Sequence, residues 1–367
     1  MTREIDLRHM GRALELARQG LGHTSPNPAV GAVVVRNGDQ VGEGFHERAG
    51  APHAEVVALR AAGARALGAT LYVTLEPCVH HGKTPPCTEA ILGAGVQRVV
   101  VAVRDPNPLV DGRGITRLRE AGLDVEVGVE EAEAALVNRA FFRFITTGRP
   151  HVTLKVAMTL DGKIAARDGH SRWITGEAAR AEVHRMRSRS DAILVGIGTL
   201  LTDDPGLTVR LDRPCPREPF RVVVDSRLRT PPNARVIRAG RAERVIVACL
   251  DSALPERARR LEERGVQILR LPAWDGRVDL ASLMAALGER QIVSVLAEGG
   301  SQLNASLIEQ GCVDHVACFV AALLLGGESA PGAIGGPGRL LKEAVRLRDA
   351  RCTRIGEDFL FEGDVEA

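Results

Sequence analysis

Residues 53–78, HAEVVALRAAGARALGATLYVTLEPC, begin and end on groups that bind a soft metal. His53 stands first and Cys78 last, and Cys87 follows after the eight residues VHHGKTPP. One imidazole and two thiolates form a three-ligand set suited to zinc. Three protein ligands leave a fourth position for water, the layout of a catalytic site rather than a structural one. Glu55 stands two residues after His53 and can reach that water without binding the metal. Between the ligands, Val56, Val57, Leu59 and Ala62 recur at helical spacing over 53–66, and 71–75 is an apolar strand that stops at Glu76-Pro77. A helix feeding a strand, with chemistry at both junctions, predicts an α/β fold.

The same alternation extends outward. AVGAVVVR (29–36) reads as a strand, Asn37-Gly38 as a hairpin turn and 41–46 as the antiparallel return. Helical patterns at 88–92, 114–121 and 131–144 separate strands at 98–103 and 125–127. The breaker-rich joint Thr146-Thr147-Gly148-Arg149-Pro150 divides the chain into expected domains 1–146 and 150–367. Beyond it, strands are expected at 152–157, 192–195, 221–224, 244–248, 267–271, 293–297 and 315–321. Helices at 176–189, 255–264, 280–290 and 302–310 fall between them, which predicts a mostly parallel sheet. A length of 367 residues and 45% hydrophobic content suit two cores, and one Tyr and two Trp make those cores aliphatic.

A net charge of +2, with no basic run and no aromatic-rich strand, argues against nucleic acid as a partner. MTREIDLRHM lacks an apolar signal core and no stretch approaches a membrane span, so neither membrane nor secretion is expected. Seven scattered cysteines then read as thiols and metal ligands in the cytoplasm rather than as disulfides.

The order H-x-E, then P-C, is the signature of zinc deaminases of nucleobases, whose glutamate is the general acid/base. Two thiolates and a neutral imidazole balance Zn²⁺, so a bound water keeps a pKa of about 7. Glu55 would carry the water proton to the ring nitrogen and the departing ammonia. Proton transfer of this kind contributes roughly 10²–10⁴ in rate, about 3–5 kcal/mol of barrier. The signature usually continues C-x-x-C; here the cysteines are further apart.

That departure makes a resemblance specific. LEPCVHHGKTPPC (75–87), TSPNPAVG (24–31), Gly44-Phe45-His46 and Asp105-Pro106-Asn107-Pro108 resemble the bifunctional riboflavin-biosynthesis deaminase/reductase family. The resemblance implies a cytidine-deaminase-like α/β/α domain that hydrolyses the C2 amino group of 2,5-diamino-6-ribosylamino-4(3H)-pyrimidinone 5′-phosphate. It also implies that Asn27, His46, His80 and Lys83 line the pocket, with His80, His81 and Lys83 near the phosphate.

The later segments LKVAMTLDGKIA (154–165), SRWIT (171–175), GIGTLLTDDPGLTVR (196–210) and EGGSQLN (298–304) resemble the reductase half of that family. In the last, a strand ends in Gly-Gly and a helix starts at Ser301, offering free N–H groups to a phosphate. No G-x-G-x-x-G follows a first strand, so an ordinary Rossmann domain is excluded. The resemblance implies a dihydrofolate-reductase-like α/β domain that uses NADPH to reduce the ribose of 5-amino-6-(5-phosphoribosylamino)uracil to the ribityl form. Ala157, Trp173, Thr199, Asp203, Ser226 and the run Gly300, Ser301, Gln302, Leu303, Asn304, Ala305 and Ser306 would touch the cofactor. Ser171, Arg187, Leu207, Arg210 and Glu298 would touch substrate, the arginines suiting its phosphate. Lys155, set in an apolar strand that an unpaired lysine avoids, is expected to pair with Glu298 near the sugar as a second catalytic group. The family's A-P-K pattern before a late Gly-Gly is missing from AALLLGG (321–327). A homo-oligomer is expected. An RNA-editing deaminase with a C-terminal binding module, or a scaffold around structural zinc, would be the competing functions; the charge and the HHGKTPP loop oppose the first, and Glu55 the second.

Overall fold

GAVVVR (31–36) and TLYV (70–73) have no polar stripe, and such strands must be covered on both faces. The structure, a computed structural model, describes residues 3–81, 85–212 and 217–366. By its internal contacts the chain falls into two units, Met1–Gly148 and Arg149–Ala367.

In the first unit α1 (Arg3–Gln19) precedes β1 (Gly31–Arg36), β2 (Asp39–Phe45), α2 (Ala54–Ala62), β3 (Thr70–Val73), α3 (Cys87–Gly93), β4 (Arg98–Val101), α4 (Arg113–Glu120), β5 (Asp124–Val127) and α5 (Glu131–Thr147). The sheet order is β2-β1-β3-β4-β5. β1 is antiparallel to β2 and β3, and β3, β4 and β5 run parallel. The β1–β2 turn is the expected one, with Asn37 and Gly38 at φ of 54° and 88°, as a tight I′ hairpin needs. Two glycines seat the helices. A Cβ at Gly31 would lie 2.0 Å from the Ala13 carbonyl of α1, and one at Gly42 would lie 2.3 Å from the Ala58 carbonyl of α2. Gly42 registers on Val34, three residues along β1 from Gly31 and therefore on the opposite face. α1 and α2 thus cover opposite faces of the sheet, and the two glycines let them approach its backbone.

The sequence reading did not expect α1. It buries Met10, Ala13, Leu14 and Ala17 against the sheet. Its buried Asp6 accepts from the Tyr72 hydroxyl (2.7 Å) and from two Arg98 nitrogens (2.8 and 2.9 Å).

The second unit holds β6 (His151–Thr159), α6 (Glu177–Arg189), β7 (Ala192–Gly196), α7 (Ile197–Asp203), β8 (Phe220–Val224), α8 (Arg235–Arg238), β9 (Val245–Leu250), α9 (Pro255–Glu262), β10 (Gln267–Leu271), β11 (Ala273–Trp274), β12 (Arg277–Val278), α10 (Leu280–Glu289), β13 (Ser294–Ala297), α11 (Ser301–Glu309), β14 (His315–Ala321), β15 (Leu347–Ile355) and β16 (Asp358–Val365). The sheet order is β10-β9-β8-β7-β13-β6-β14-β16-β15, and every pair from β10 to β14 is parallel. The antiparallel β15–β16 hairpin on one edge and the small β11–β12 hairpin were not expected. Both cores are aliphatic, built mainly of Val, Leu, Ile and Ala. Among the described residues no helix is long and apolar enough to cross a membrane.

Candidate active sites

In the first unit, His53 is the N-cap residue of α2, and Glu55 falls in its first turn. Cys87 is the first residue of α3. Cys78 lies in the loop after β3, and its sulfur accepts from the Cys87 backbone N–H at 3.4 Å. His53 Nδ1 is 3.2 Å from Cys87 Sγ and 3.7 Å from Cys78 Sγ. The three donor atoms lie within 4.8 Å of one another. One nitrogen and two sulfurs at this spacing fit a single zinc ion. The Cys87 hydrogen bond, helped by His53, lowers the Cys78 thiol. The same contact, with burial, raises Cys87.

Glu55 is 3% exposed, and burial raises its carboxyl above the usual range. It opens with His53 and Cys78 into a cavity of about 240 Å³ that Asn27, His46 and His80 also line. Lys83 lies outside the described residues. The His46 ring is fixed at both nitrogens. Its Nδ1 donates to the Pro52 carbonyl at 3.1 Å, which leaves Nε2 to accept from the Asn27 amide at 3.1 Å. Burial lowers the His46 pKa, so the ring stays neutral.

Three lining groups escaped the sequence reading: Glu76, Asp105 and Asn107. The Glu76 carboxylate accepts four backbone N–H groups, from Asp105 (3.2 Å), Gly112 (2.9 Å), Gly114 (2.8 Å) and Ile115 (3.2 Å). It thereby ties the loop carrying Cys78 to the start of α4 and to the Asp105 loop. Burial pushes the Asp105 carboxyl up to about 6. Asp105-Pro106-Asn107-Pro108 was visible as a motif, but nothing in its spacing indicated which cavity it would face.

The second unit has a cleft of about 750 Å³ at the carboxyl ends of β7, β8 and β13, where open parallel sheets bind ligands. Ser171, Thr199, Asp203, Ser226, Gly300, Ser301, Gln302, Leu303 and Ser306 all line it. The first N–H groups of α11 are free to receive a phosphate, and the cleft has room for a dinucleotide's phosphates and sugars. Ala157, Trp173, Asn304 and Ala305 are outside its lining. Asn304 and Ala305 are buried in the inner face of α11, where Asn304 donates to the Ala333 carbonyl at 2.9 Å. Trp173 is 65% exposed with Arg180 stacked 4.6 Å from its ring centre, so it is no core aromatic.

A second polar cluster surrounds Lys155 on β6. Glu298 sits 3.7 Å from Lys155 Nζ and makes a two-point pair with Arg187. Burial opposes ionisation of Glu298, but Arg187 and Lys155 together hold it down to about 2. Burial lowers Lys155 in turn. Arg187 also donates to the Thr208 carbonyl at 3.1 Å, which engages its guanidinium within the protein. Leu207 is buried at a φ of 49°, and Arg210 is exposed, its backbone N–H donating to His184 Nδ1 at 3.2 Å. The segment lacking Pro and Lys is pinned by backbone contacts: Leu325 and Gly326 donate to the Asp161 carboxylate at 3.2 and 2.6 Å, and Leu160 to the Leu323 carbonyl at 2.9 Å.

Such a pairing defines a class: a zinc-dependent deaminase of small bases fused to a nucleotide-dependent reductase. Comparison with known proteins makes it particular. Residues 3–103 match the cytidine and deoxycytidylate deaminase zinc-binding region, and residues 150–361 match the RibD C-terminal domain. The chain is 44% identical to the riboflavin biosynthesis protein RibD of Aquifex aeolicus over 98% of both chains. It is 43% identical to that of Escherichia coli, covering 95% of this chain and 96% of the relative. Among solved structures, Acinetobacter baumannii RibD superposes with a TM-score of 0.90 at 40% identity over 100% of both chains. A diaminohydroxyphosphoribosylaminopyrimidine deaminase/5-amino-6-(5-phosphoribosylamino)uracil reductase from Thermotoga maritima gives 0.86 at 37% identity over 99% of both. The chain belongs to the RibD family of riboflavin biosynthesis proteins. It is a bifunctional enzyme, a zinc deaminase followed by an NADPH-dependent pyrimidine reductase.

Proposed function

We propose that residues 1–146 remove the C2 amino group of 2,5-diamino-6-ribosylamino-4(3H)-pyrimidinone 5′-phosphate and that residues 150–367 reduce the ribose of the product, 5-amino-6-(5-phosphoribosylamino)uracil, to the ribityl form. The substrates named for the Thermotoga maritima structure support the assignment. The observation that carries it is Glu55, a buried carboxyl beside three zinc-type ligands and open to a small polar cavity.

His53, Cys78 and Cys87 hold the metal in this reading. Zinc supplies an acidified water there, with a pKa of about 7. Glu55 would relay the two protons of that water in turn, the first to the ring nitrogen and the second to the amino group, which leaves as ammonia. The fixed Asn27–His46 pair orients the ring, Asp105 and Asn107 extend the polar wall, and His80 faces the phosphate.

In the reductase, the start of α11, with Gly300, Ser301, Gln302, Leu303 and Ser306, receives the cofactor phosphates, and Thr199, Asp203 and Ser226 flank them. NADPH supplies hydride for the ribose carbon C1′. Ser171, Leu207 and Arg210 position the substrate. Arg187 holds Glu298 in place, and Glu298 and Lys155 hold and move the proton at the sugar; burial weakens the lysine's grip on its proton and the nearby carboxylate opposes that.

Self-association is supported by Phe359 and Phe361, which share one face of β16 and are 40% and 46% exposed. Leu340, Leu341 and Leu347 are exposed as well. A cytoplasmic setting keeps the ligand thiols reduced.

Glu55→Gln tests the reading. The variant should keep zinc at the wild-type ratio while ammonia release falls by about 10²–10⁴. Retained turnover would remove Glu55 from the mechanism, and lost zinc would make it structural.

A further inference from the structure

The NADPH cleft carries charge that the assignments above leave unused. Arg227 and Arg229 line it from the loop after β8, and Arg277 lines it from the β11–β12 hairpin. All three are exposed, and none makes an ion pair among the described residues.

The loop is built to present these groups. Asp225 is fully buried, and its carboxylate accepts from both the backbone N–H (2.7 Å) and the hydroxyl (2.8 Å) of Thr230. That closes residues 225–230 into a turn that puts Asp225, Ser226, Arg227 and Arg229 on the cleft. The hairpin is tied to the same place. Val278 N–H donates to Ser226 Oγ at 3.3 Å, and Arg277 Nη1 donates to Ser306 Oγ at 3.4 Å. Two separate elements therefore bring three guanidiniums to the cleft around one serine hydroxyl.

We propose that Arg227, Arg229 and Arg277, with Ser226, bind the phosphate on the 2′ carbon of the cofactor's adenosine ribose, and so select NADPH over NADH. The proposal rests on the NADPH assignment and locates its specificity. The α11 N-terminus already serves one phosphate group of a dinucleotide with backbone N–H donors. A second cationic centre, made of side chains and remote from the Lys155 cluster, fits the additional dianion that separates NADPH from NADH. Guanidiniums suit it because their forked donors match phosphate oxygens.

The test is calorimetric titration of the full-length zinc enzyme with NADP⁺, NAD⁺, 2′,5′-ADP and 5′-AMP, comparing wild type with Arg227→Ser, Arg229→Ser, Arg277→Ser and the matching Arg→Lys variants. Each Ser variant should weaken NADP⁺ and 2′,5′-ADP by about 10-fold to 100-fold, the effect of losing a charge-assisted hydrogen bond. NAD⁺ and 5′-AMP should change less than about threefold, and the Lys variants should recover part of the loss. NAD⁺ binding in the same variant reports an intact cleft, so misfolding cannot imitate the result. If all three Ser variants keep the wild-type preference for the 2′-phosphate ligands, the clamp is wrong while the cofactor assignment stands. If wild type itself binds NADP⁺ no better than NAD⁺, the assignment and the clamp fall together.

Discussion

Arg187 meets Glu298 at two points, Nε to Oε1 at 2.5 Å and Nη2 to Oε2 at 2.9 Å, while Lys155 stands 3.7 Å away on the same carboxylate. The side chains of Arg187, Glu298 and Lys155 are 14%, 11% and 14% exposed, so two cations share one anion with little water. Breaking a buried pair costs more than forming it gains, because the partner charge stays desolvated. Glu298→Gln should therefore destabilise the reductase unit by about 3–5 kcal/mol and abolish NADPH oxidation. Denaturant melts and the oxidation assay check both, with ammonia release reporting the other unit. An unshifted melt would show that the cations do not depend on Glu298.

Glu76 is the corresponding tie in the deaminase unit. Its carboxylate serves four N–H donors, and a glutamine oxygen can serve only part of them. Glu76→Gln should lower the stability of this unit by about 1–3 kcal/mol for each donor left unsatisfied. It should also reduce ammonia release, since the Cys78 loop loses its anchor. The melt of the reductase unit should not move; if both units melt earlier by the same amount, the effect is not local.

His184 makes acid a specific threat to the reductase unit. Burial, then the charges of Arg187 and Arg210, lower its pKa to about 4 from an ordinary 6.5; Glu298 opposes this and Lys155 adds to it. The unfolded chain thus takes up a proton near pH 6.5 that the folded chain refuses until about 4. Stability falls as pH drops through that window and gains no further loss from this group below it. His184→Gln, whose side-chain oxygen can still accept from the Arg210 N–H, should flatten the decline between pH 7 and 5 in thermal melts. An unchanged slope would place the acid sensitivity elsewhere.

How much was legible in the sequence depended on whether a signal was local. The strands with continuous apolar runs, such as 192–196 and 294–297, and the Asn37-Gly38 turn were read nearly to the residue, because burial on both faces and a positive φ leave few alternatives. α1 was missed although Met10, Ala13, Leu14 and Ala17 keep helical spacing, because dense charge on its outer face masked the stripe. β15 was missed for the opposite reason: all but one of its residues are exposed and its pattern does not alternate in burial. The donor set His53, Cys78 and Cys87 was visible as residue types at chemically meaningful positions. Glu76, Asp105 and Asn107 joined the cavity through long-range folding, with the Glu76 donors lying 29 to 39 residues away. Arg187 was expected on a substrate phosphate; its bond to Glu298, 111 residues distant, had no sequence signature.

The central claim is that one chain deaminates and then reduces the same pyrimidine. It is tested most directly by following ammonia release and NADPH oxidation together, with the diaminopyrimidinone ribosyl phosphate as substrate and zinc content measured alongside. Ammonia should appear first, and NADPH loss should follow one to one. NADPH loss without prior ammonia, or neither reaction with zinc bound at one per chain, would contradict it.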